Sequence, residues 1–181
     1  MTDQRRLSER VTHPSYLEGL DKKAIEELRT LRDECREAEN EASFERRLCQ
    51  ARLDILAAEL NRRDGNSDED LLARLPDILG GEHREPSQDG VPLPSRAPNF
   101  SAPRNADIPR RRVEEVLGEQ TLARLSEIDN DELRKIMESL SEYEKTVSTR
   151  RRAIQDVMDK IQTEIVRRYT SGEADPSTAF N

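Results

Sequence analysis

Apolar residues recur every three and four positions through two long stretches of this chain, a spacing that predicts two amphipathic helices. From Lys22 to about Arg63 there is neither Gly nor Pro, until Asp64-Gly65-Asn66 stops the run. From Asp131 to about Tyr169 the same holds, with Asp129-Asn130 as a cap before it and Ser171-Gly172 opening a polar tail after it. Taking Leu133 as heptad position a places Leu133, Leu140, Val147, Ile154 and Ile161 at a, with Ile136, Tyr143 and Val157 at d. In the same register the first helix puts Leu28, Cys35, Ala42, Cys49 and Leu56 at a, and Leu31 and Ala38 at d. These are smaller residues, which let two backbones approach closely. Glu45 and Arg150 interrupt the d positions. The expected fold is all-α: an antiparallel two-helix coiled coil with short accessory helices and a long disordered linker.

The remaining segments divide by composition. Residues 1–20 are polar and carry Pro14 and Gly19, so a mobile tail is expected, with Tyr16, Leu17 and Leu20 able to dock. Asp21 offers the cap of a first long helix over 21–64, and a short helical segment follows at 65–79. Pro86, Pro92, Pro94, Pro98, Pro103 and Pro109 mark 80–110 as a disordered linker. Short helices are expected over 111–128, the second long helix over 129–170 and a disordered tail over 171–181. Leu71, Leu72, Leu75, Ile78 and Leu79, with Val113, Val116, Leu117, Leu122 and Leu125, exceed what their short segments can bury alone. They either face a partner or fold back on the coil.

Sliding the chain against itself by 105 residues superposes the two long helices with many identities. Glu27-Leu28-Arg29 meets Glu132-Leu133-Arg134. Glu39, Ser43, Arg46, Arg47, Gln50 and Asp54 meet Glu144, Ser148, Arg151, Arg152, Gln155 and Asp159, and Glu59, Arg62 and Arg63 meet Glu164, Arg167 and Arg168. The offset is a whole number of heptads, so matched residues stand alike relative to a seam. Charged coiled coils repeat Glu and Arg by chance, which leaves the outer identities, the terminal arginines above all, with little weight. The inner pattern is different. Five specified residue types recurring at one spacing has a chance on the order of one in a million per register.

That pattern is Glu-x3-Ser-x2-Arg-x3-Gln-x3-Asp, at Glu39, Ser43, Arg46, Gln50 and Asp54 and again at Glu144, Ser148, Arg151, Gln155 and Asp159. Steps of 4, 3, 4 and 4 keep the five side chains within an arc of roughly 80° on a strip about 22 Å long. Each strip offers a guanidinium, two carboxylates, an amide and a hydroxyl, a set suited to a ligand with both donors and acceptors. Guanine nucleotides are such ligands: Arg bonds the O6 and N7 edge, a carboxylate accepts from N1–H and N2–H2, and Ser, Gln or Arg reach phosphate. On antiparallel helices the strips would be related by a local twofold, which suits a twofold-symmetric ligand or a ligand dimer. A single strip would read more simply as a solvated face of intrahelical pairs; two matched strips reverse that preference.

The doubled motif resembles the signature of the RsiG-type anti-sigma factors, with all ten positions present on the two long helices. The resemblance implies that a cyclic di-GMP dimer sits on the helix pair at those ten residues. It also implies a sigma factor partner of the WhiG type, related to flagellar sigma factors, whose promoter-binding regions the loaded protein clamps. Sequestration would silence the genes that such a factor serves, here a sporulation or developmental regulon.

Composition narrows the alternatives. With 38% charged and 3% aromatic residues, no Trp and a mean hydropathy of −0.93, a large globular core is not expected. A formal charge of −8 and a pI near 5.0 oppose direct nucleic-acid binding and an anionic membrane surface, and favour a basic partner. No apolar run suggests a membrane span or signal peptide, so a cytoplasmic protein is expected. His13 and His83 fall in presumed mobile regions and no phosphate-cradling Gly loop occurs, so neither an enzyme nor a metal site is expected. The rival reading is a structural coiled-coil adaptor without nucleotide binding. Cys35 and Cys49, about 21 Å apart along one helix, are expected as free thiols in the seam.

Overall fold

The structure, a computed structural model, describes residues 6–65, 102–118 and 120–174. The elements are α1 (Leu7–Val11), two 3-10 turns (Pro14–Leu17 and Leu20–Lys22), α2 (Ile25–Arg63), α3 (Asp107–Leu117) and α4 (Asn130–Ser171). All are helical, and the described residues contain no strand.

Local chemistry sets the ends of the long helices. Residues Leu20–Lys22 form a tight turn, so α2 starts at Ile25 rather than directly after Asp21, and the Glu27 carboxylate accepts the Ala24 N–H at 2.8 Å. At α4, Asp129 Oδ1 accepts from the amides of Asp131 and Glu132 at 2.9 and 2.8 Å, which fills two donors the helix leaves open. Gly172, at φ 77°, ends α4 in the left-handed region.

α2 and α4 pack antiparallel. Leu28, Cys35, Ala42, Cys49 and Leu56 face Leu133, Leu140, Val147, Ile154 and Ile161, and none of the ten is more than 2% exposed. The a positions are therefore seam residues, as the periodicity implies. Cys35 and Cys49 are free thiols in this seam, and burial pushes them up to about 11 and about 12.

The short segments complete two apolar clusters. One gathers Val11, Leu28, Cys35, Ala38 and Ala42 with Ile154, Met158, Ile161 and Ile165, and Leu17 and Leu20 pack against it. The other gathers Cys49, Leu56, Val113, Leu117, Leu133 and Leu140, with Val116, Leu122 and Leu125 against it. The 105-residue shift carries Leu133 and Leu140 onto Leu28 and Cys35, Val116 onto Val11, and Leu122 and Leu125 onto Leu17 and Leu20. The repeat is thus a whole unit, short segment plus long helix, and the two units pack about a local twofold.

Several sequence expectations change accordingly. The tail expected over 1–20 is folded from Leu7 onward, because Val11 is fully buried and the Tyr16 hydroxyl donates to Leu31 O and Glu34 Oε2 at 3.1 and 2.9 Å. α3 starts at Asp107, inside the stretch expected as linker, and turns rather than helix fill 120–127. Gly118 makes that break: its φ is 91°, and a Cβ there would lie 2.8 Å from Thr121 Oγ1. Val113, Val116, Leu117, Leu122 and Leu125 fold back onto the coil, which resolves their two alternatives. Leu71, Leu72, Leu75, Ile78 and Leu79 lie outside the described residues, as does the linker up to residue 101.

The terminal arginines, discounted as chance, are the clearest marks of the twofold. Arg63 donates to Leu125 O and Ile128 O, both at 2.6 Å, and to Asn130 Oδ1 at 2.9 Å. Arg168 donates to Leu20 O at 2.8 Å and to Lys23 O, the counterparts of Leu125 and Ile128 under the same shift. Both occupy heptad position a. Each is steadied by a carboxylate one turn back, Glu59 at 2.7 Å and Glu164 at 2.8 Å, and paired arginines hold both carboxyls down at about 2.

Arg63→Ala and Arg168→Ala should each strand half-buried carbonyls and cost about 2 kcal/mol. Circular-dichroism melts are expected to fall by a similar amount for both, roughly 6 °C. Lysine should recover little, since one ammonium cannot reproduce the fork. Both thiols should resist iodoacetamide in the native protein and react once it is denatured, a contrast that mass spectrometry reads directly.

Candidate functional site

The ten motif residues lie on α2 and α4, where the spacing places them along one flank of each helix beside the seam. Cross-helix contacts show that the two flanks form one face. Arg151 Nε donates to Glu39 Oε1 and to Ser43 Oγ, both at 2.8 Å, and Gln155 Nε2 reaches Glu39 Oε1 at 3.2 Å. Arg46 approaches Glu144 Oε1 at 3.8 Å, the twofold image of the Arg151–Glu39 pair. Within each strip the serine hydroxyl donates to the glutamate one turn back, Ser43 to Glu39 at 2.9 Å and Ser148 to Glu144 at 2.8 Å.

The two halves differ in tightness. Glu39 accepts from Arg151, Ser43 and Gln155 together, whereas Glu144 holds Ser148 and a more distant Arg46. Glu39, Ser43, Arg46 and their counterparts meet at the centre. Asp54 and Asp159 stand at opposite outer ends, both exposed. Antiparallel overlap makes the composite strip longer than either copy, on the order of 30 Å between those aspartates. Partial desolvation raises the Asp54 carboxyl above its ordinary value.

Arg47 adds to this face without belonging to the motif. It is half-buried; that burial lowers its guanidinium pKa, and the fields of Arg46 and Arg151 act in the same direction while Glu39 opposes them. Three guanidiniums therefore concentrate near the centre of an otherwise acidic protein. The sequence signal was present, since Arg47 recurs as Arg152, but Arg152 is exposed and the two are not equivalent.

The face is open. Two surface hollows lie elsewhere: one of about 670 Å³ along Asp129, Asn130, Asp131, Glu132 and Lys135, the other of about 410 Å³ along Glu142, Lys145, Thr146, Thr149 and Arg150. No motif residue lines either. An open polar strip of this kind binds by hydrogen bonding, charge and stacking over an extended ligand, with no walls to exclude water from a reacting group. No group of three or more acidic, His or Cys residues among the described residues is arranged to hold a metal ion, and no described helix is long and apolar enough to cross a membrane.

Being partly exposed, the cross-helix pairs hold little of the fold. The double replacement Arg46→Ala/Arg151→Ala should lower stability by at most about 1 kcal/mol and keep the helix content, as far-ultraviolet circular dichroism and a thermal melt would register.

A family model described as RsiG-like matches residues 14–79 and 119–179, together more than half of the chain. The two segments begin at 14 and 119 and so differ by the same 105 residues as the internal repeat. They include both long helices and all ten motif residues, together with the turns that follow α1 and α3. No curated protein matches the chain.

Proposed function

The chain belongs to the RsiG-like family and has the anti-sigma-factor role of that family, and within that role we propose that it binds cyclic di-GMP on the paired strips and, so loaded, holds a sigma factor of the WhiG or flagellar type. The observation that carries the reading is the reciprocal contact of Arg151 with Glu39 and Arg46 with Glu144 across the twofold. A twofold face with duplicated guanidiniums, carboxylates, amides and hydroxyls fits a twofold ligand, and a dimer of cyclic di-GMP supplies one.

The chemistry follows from an exchange of partners. In the free protein Arg151 and Glu39 satisfy each other; a guanine can take both, accepting from the guanidinium at O6 and N7 and donating N1–H and N2–H2 to a carboxylate. Ser43, Ser148, Gln50 and Gln155 remain for phosphate and ribose oxygens. Asp54 and Asp159, at the far ends, offer further carboxylate acceptors for guanine N1–H and N2–H2. Arginine planes serve for stacking in place of aromatic rings. Because Arg46 and Glu144 are less tightly engaged, that half of the face gives up less on exchange.

Ligand lying across both strips touches α2 and α4 together, so it favours one alignment of the pair and adds its own polar surface to the protein. The sigma factor then binds the loaded form more tightly than the free one, and by linkage it tightens ligand binding by the same factor. We read the protein as non-enzymatic, a binding module that sequesters its partner and so withholds transcription of a sporulation or developmental regulon.

Isothermal titration of cyclic di-GMP into the wild type and into the Arg46→Ala/Arg151→Ala double variant, each with and without the sigma factor, tests ligand and partner together. Loss of two charge-assisted contacts should weaken ligand binding by about 100-fold or more. The sigma factor should tighten binding to the wild type. Undiminished binding by the variant would sink the assigned face, and no binding by the wild type would leave an anti-sigma factor of this family that works without the nucleotide.

A further inference from the structure

In the middle of the seam, where heptad position d calls for an apolar residue, Glu45 is buried to 1% exposure. It is not alone. Its carboxylate accepts from the Tyr143 hydroxyl and lies 3.4 Å from an Arg112 nitrogen and 3.5 Å from an Arg150 nitrogen. Arg112 comes from α3 and also reaches Glu41 at 3.3 Å. Glu41 and Glu45 lie well over 90° around α2 from the motif strip, so this cluster belongs to the opposite flank.

Under the 105-residue shift Glu45 falls on Arg150. The Glu45–Arg150 contact is therefore a position meeting its own image across the twofold, and the two units carry opposite charges there. The consequence concerns which helices pair. If α2 packed in this geometry against α2 of a second chain, Glu45 would meet Glu45; if α4 packed against α4, Arg150 would meet Arg150. The strip contacts do not discriminate, because both helices carry the glutamate and the arginine of the Arg151–Glu39 type of pair. The apolar a positions are compatible with all three pairings.

We propose that the buried cluster of Glu45, Arg150, Tyr143 and Arg112 is the element that makes α2 pair with α4 in preference to a second copy of itself. A buried ion pair adds little net stability over an apolar pair of similar size, yet burying two like charges together is strongly unfavourable. Such a pair acts on the choice of partner more than on the strength of pairing. The departures from the repeat agree. Tyr143 and Arg112 each add a donor to Glu45, while their counterparts, Ala38 and Leu7, add none around Arg150.

The native cysteines provide a readout. Cys35 shares a cluster with Ile154, whose counterpart is Cys49, so α2 packed on α2 would bring Cys35 of one chain beside Cys49 of the other. α4 has no cysteine, and the native pairing brings none opposite them. The full-length variants Arg150→Glu, Glu45→Leu, Arg150→Leu and Glu45→Leu/Arg150→Leu are compared by melting, by mass in solution, and by non-reducing electrophoresis after mild oxidation. Protein at millimolar concentration matches the effective concentration that a flexible linker gives tethered helices. Arg150→Glu recreates the carboxylate-on-carboxylate contact within one chain and should melt about 10 °C lower, and each leucine single variant should also fall. The double leucine variant should recover to within about 3 °C of the wild type and, unlike it, form dimers cross-linked through Cys35 and Cys49. The inference is overturned by an Arg150→Glu protein as stable as the wild type, by a double variant that recovers nothing, or by one that recovers yet stays monomeric and free of cross-links.

Discussion

Two helices of nearly equal length, each with an apolar stripe and a terminal arginine, must run head to tail for either arginine to find its acceptors. Arg63 at the end of α2 reaches the carbonyls that precede α4, and Arg168 at the end of α4 reaches those that precede α2. A parallel pair would leave both guanidiniums over the wrong end. It would also separate the motif strips, because Glu39 meets Arg151 and Arg46 meets Glu144 only when one helix is reversed. The direction of packing is thus the condition on which both the core and the candidate site rest.

How much of this was legible in the sequence depends on the kind of signal. The seam was, because burial of an a position repeats every seven residues, and Leu28 through Leu56 and Leu133 through Ile161 are buried as that period requires. The folded N-terminal segment was not. Residues 1–20 contain too few apolar positions to form a stripe of their own, and only the structure shows Val11 entering a cluster drawn from both long helices, from Leu28 to Ala42 and from Ile154 to Ile165. Nor was the work of Arg63 and Arg168, since an arginine at a heptad a position looks like the end of a pattern. Its meaning lay in Leu20, Lys23, Leu125 and Ile128, whose carbonyls carry no side-chain signature. For the candidate site, spacing alone placed the ten residues along one flank of each helix, while the role of Arg47 needed the fold to bring Arg151 near it.

The interactions of the pair divide by exposure. Contacts on the strip, Arg151 with Glu39 and Arg46 with Glu144, involve side chains between about a fifth and a third exposed, so water and ligand compete for them at small cost. Contacts that set direction and register are deeper. Arg168 is 8% exposed and Glu45 is 1% exposed, and neither finds an equivalent partner in solvent once its neighbours are placed. A ligand can therefore rearrange the first group without loosening the second.

That division bears on how a narrow two-helix rod can respond to a small molecule at all. A two-helix seam with so few aromatic residues has limited apolar area, and a face whose ligand contacts also held the helices together would come apart when those contacts were exchanged. Here the strip on one flank and the cluster of Glu45, Arg112, Tyr143 and Arg150 on the other are separated by the buried a positions. The symmetric flank offers two like half-sites, as a twofold ligand requires. The asymmetric flank breaks the symmetry where it concerns only the choice of helix partner. Duplication followed by opposite charges at one buried position reconciles the two demands: the ligand meets a twofold surface, and the chain still pairs with itself in one way.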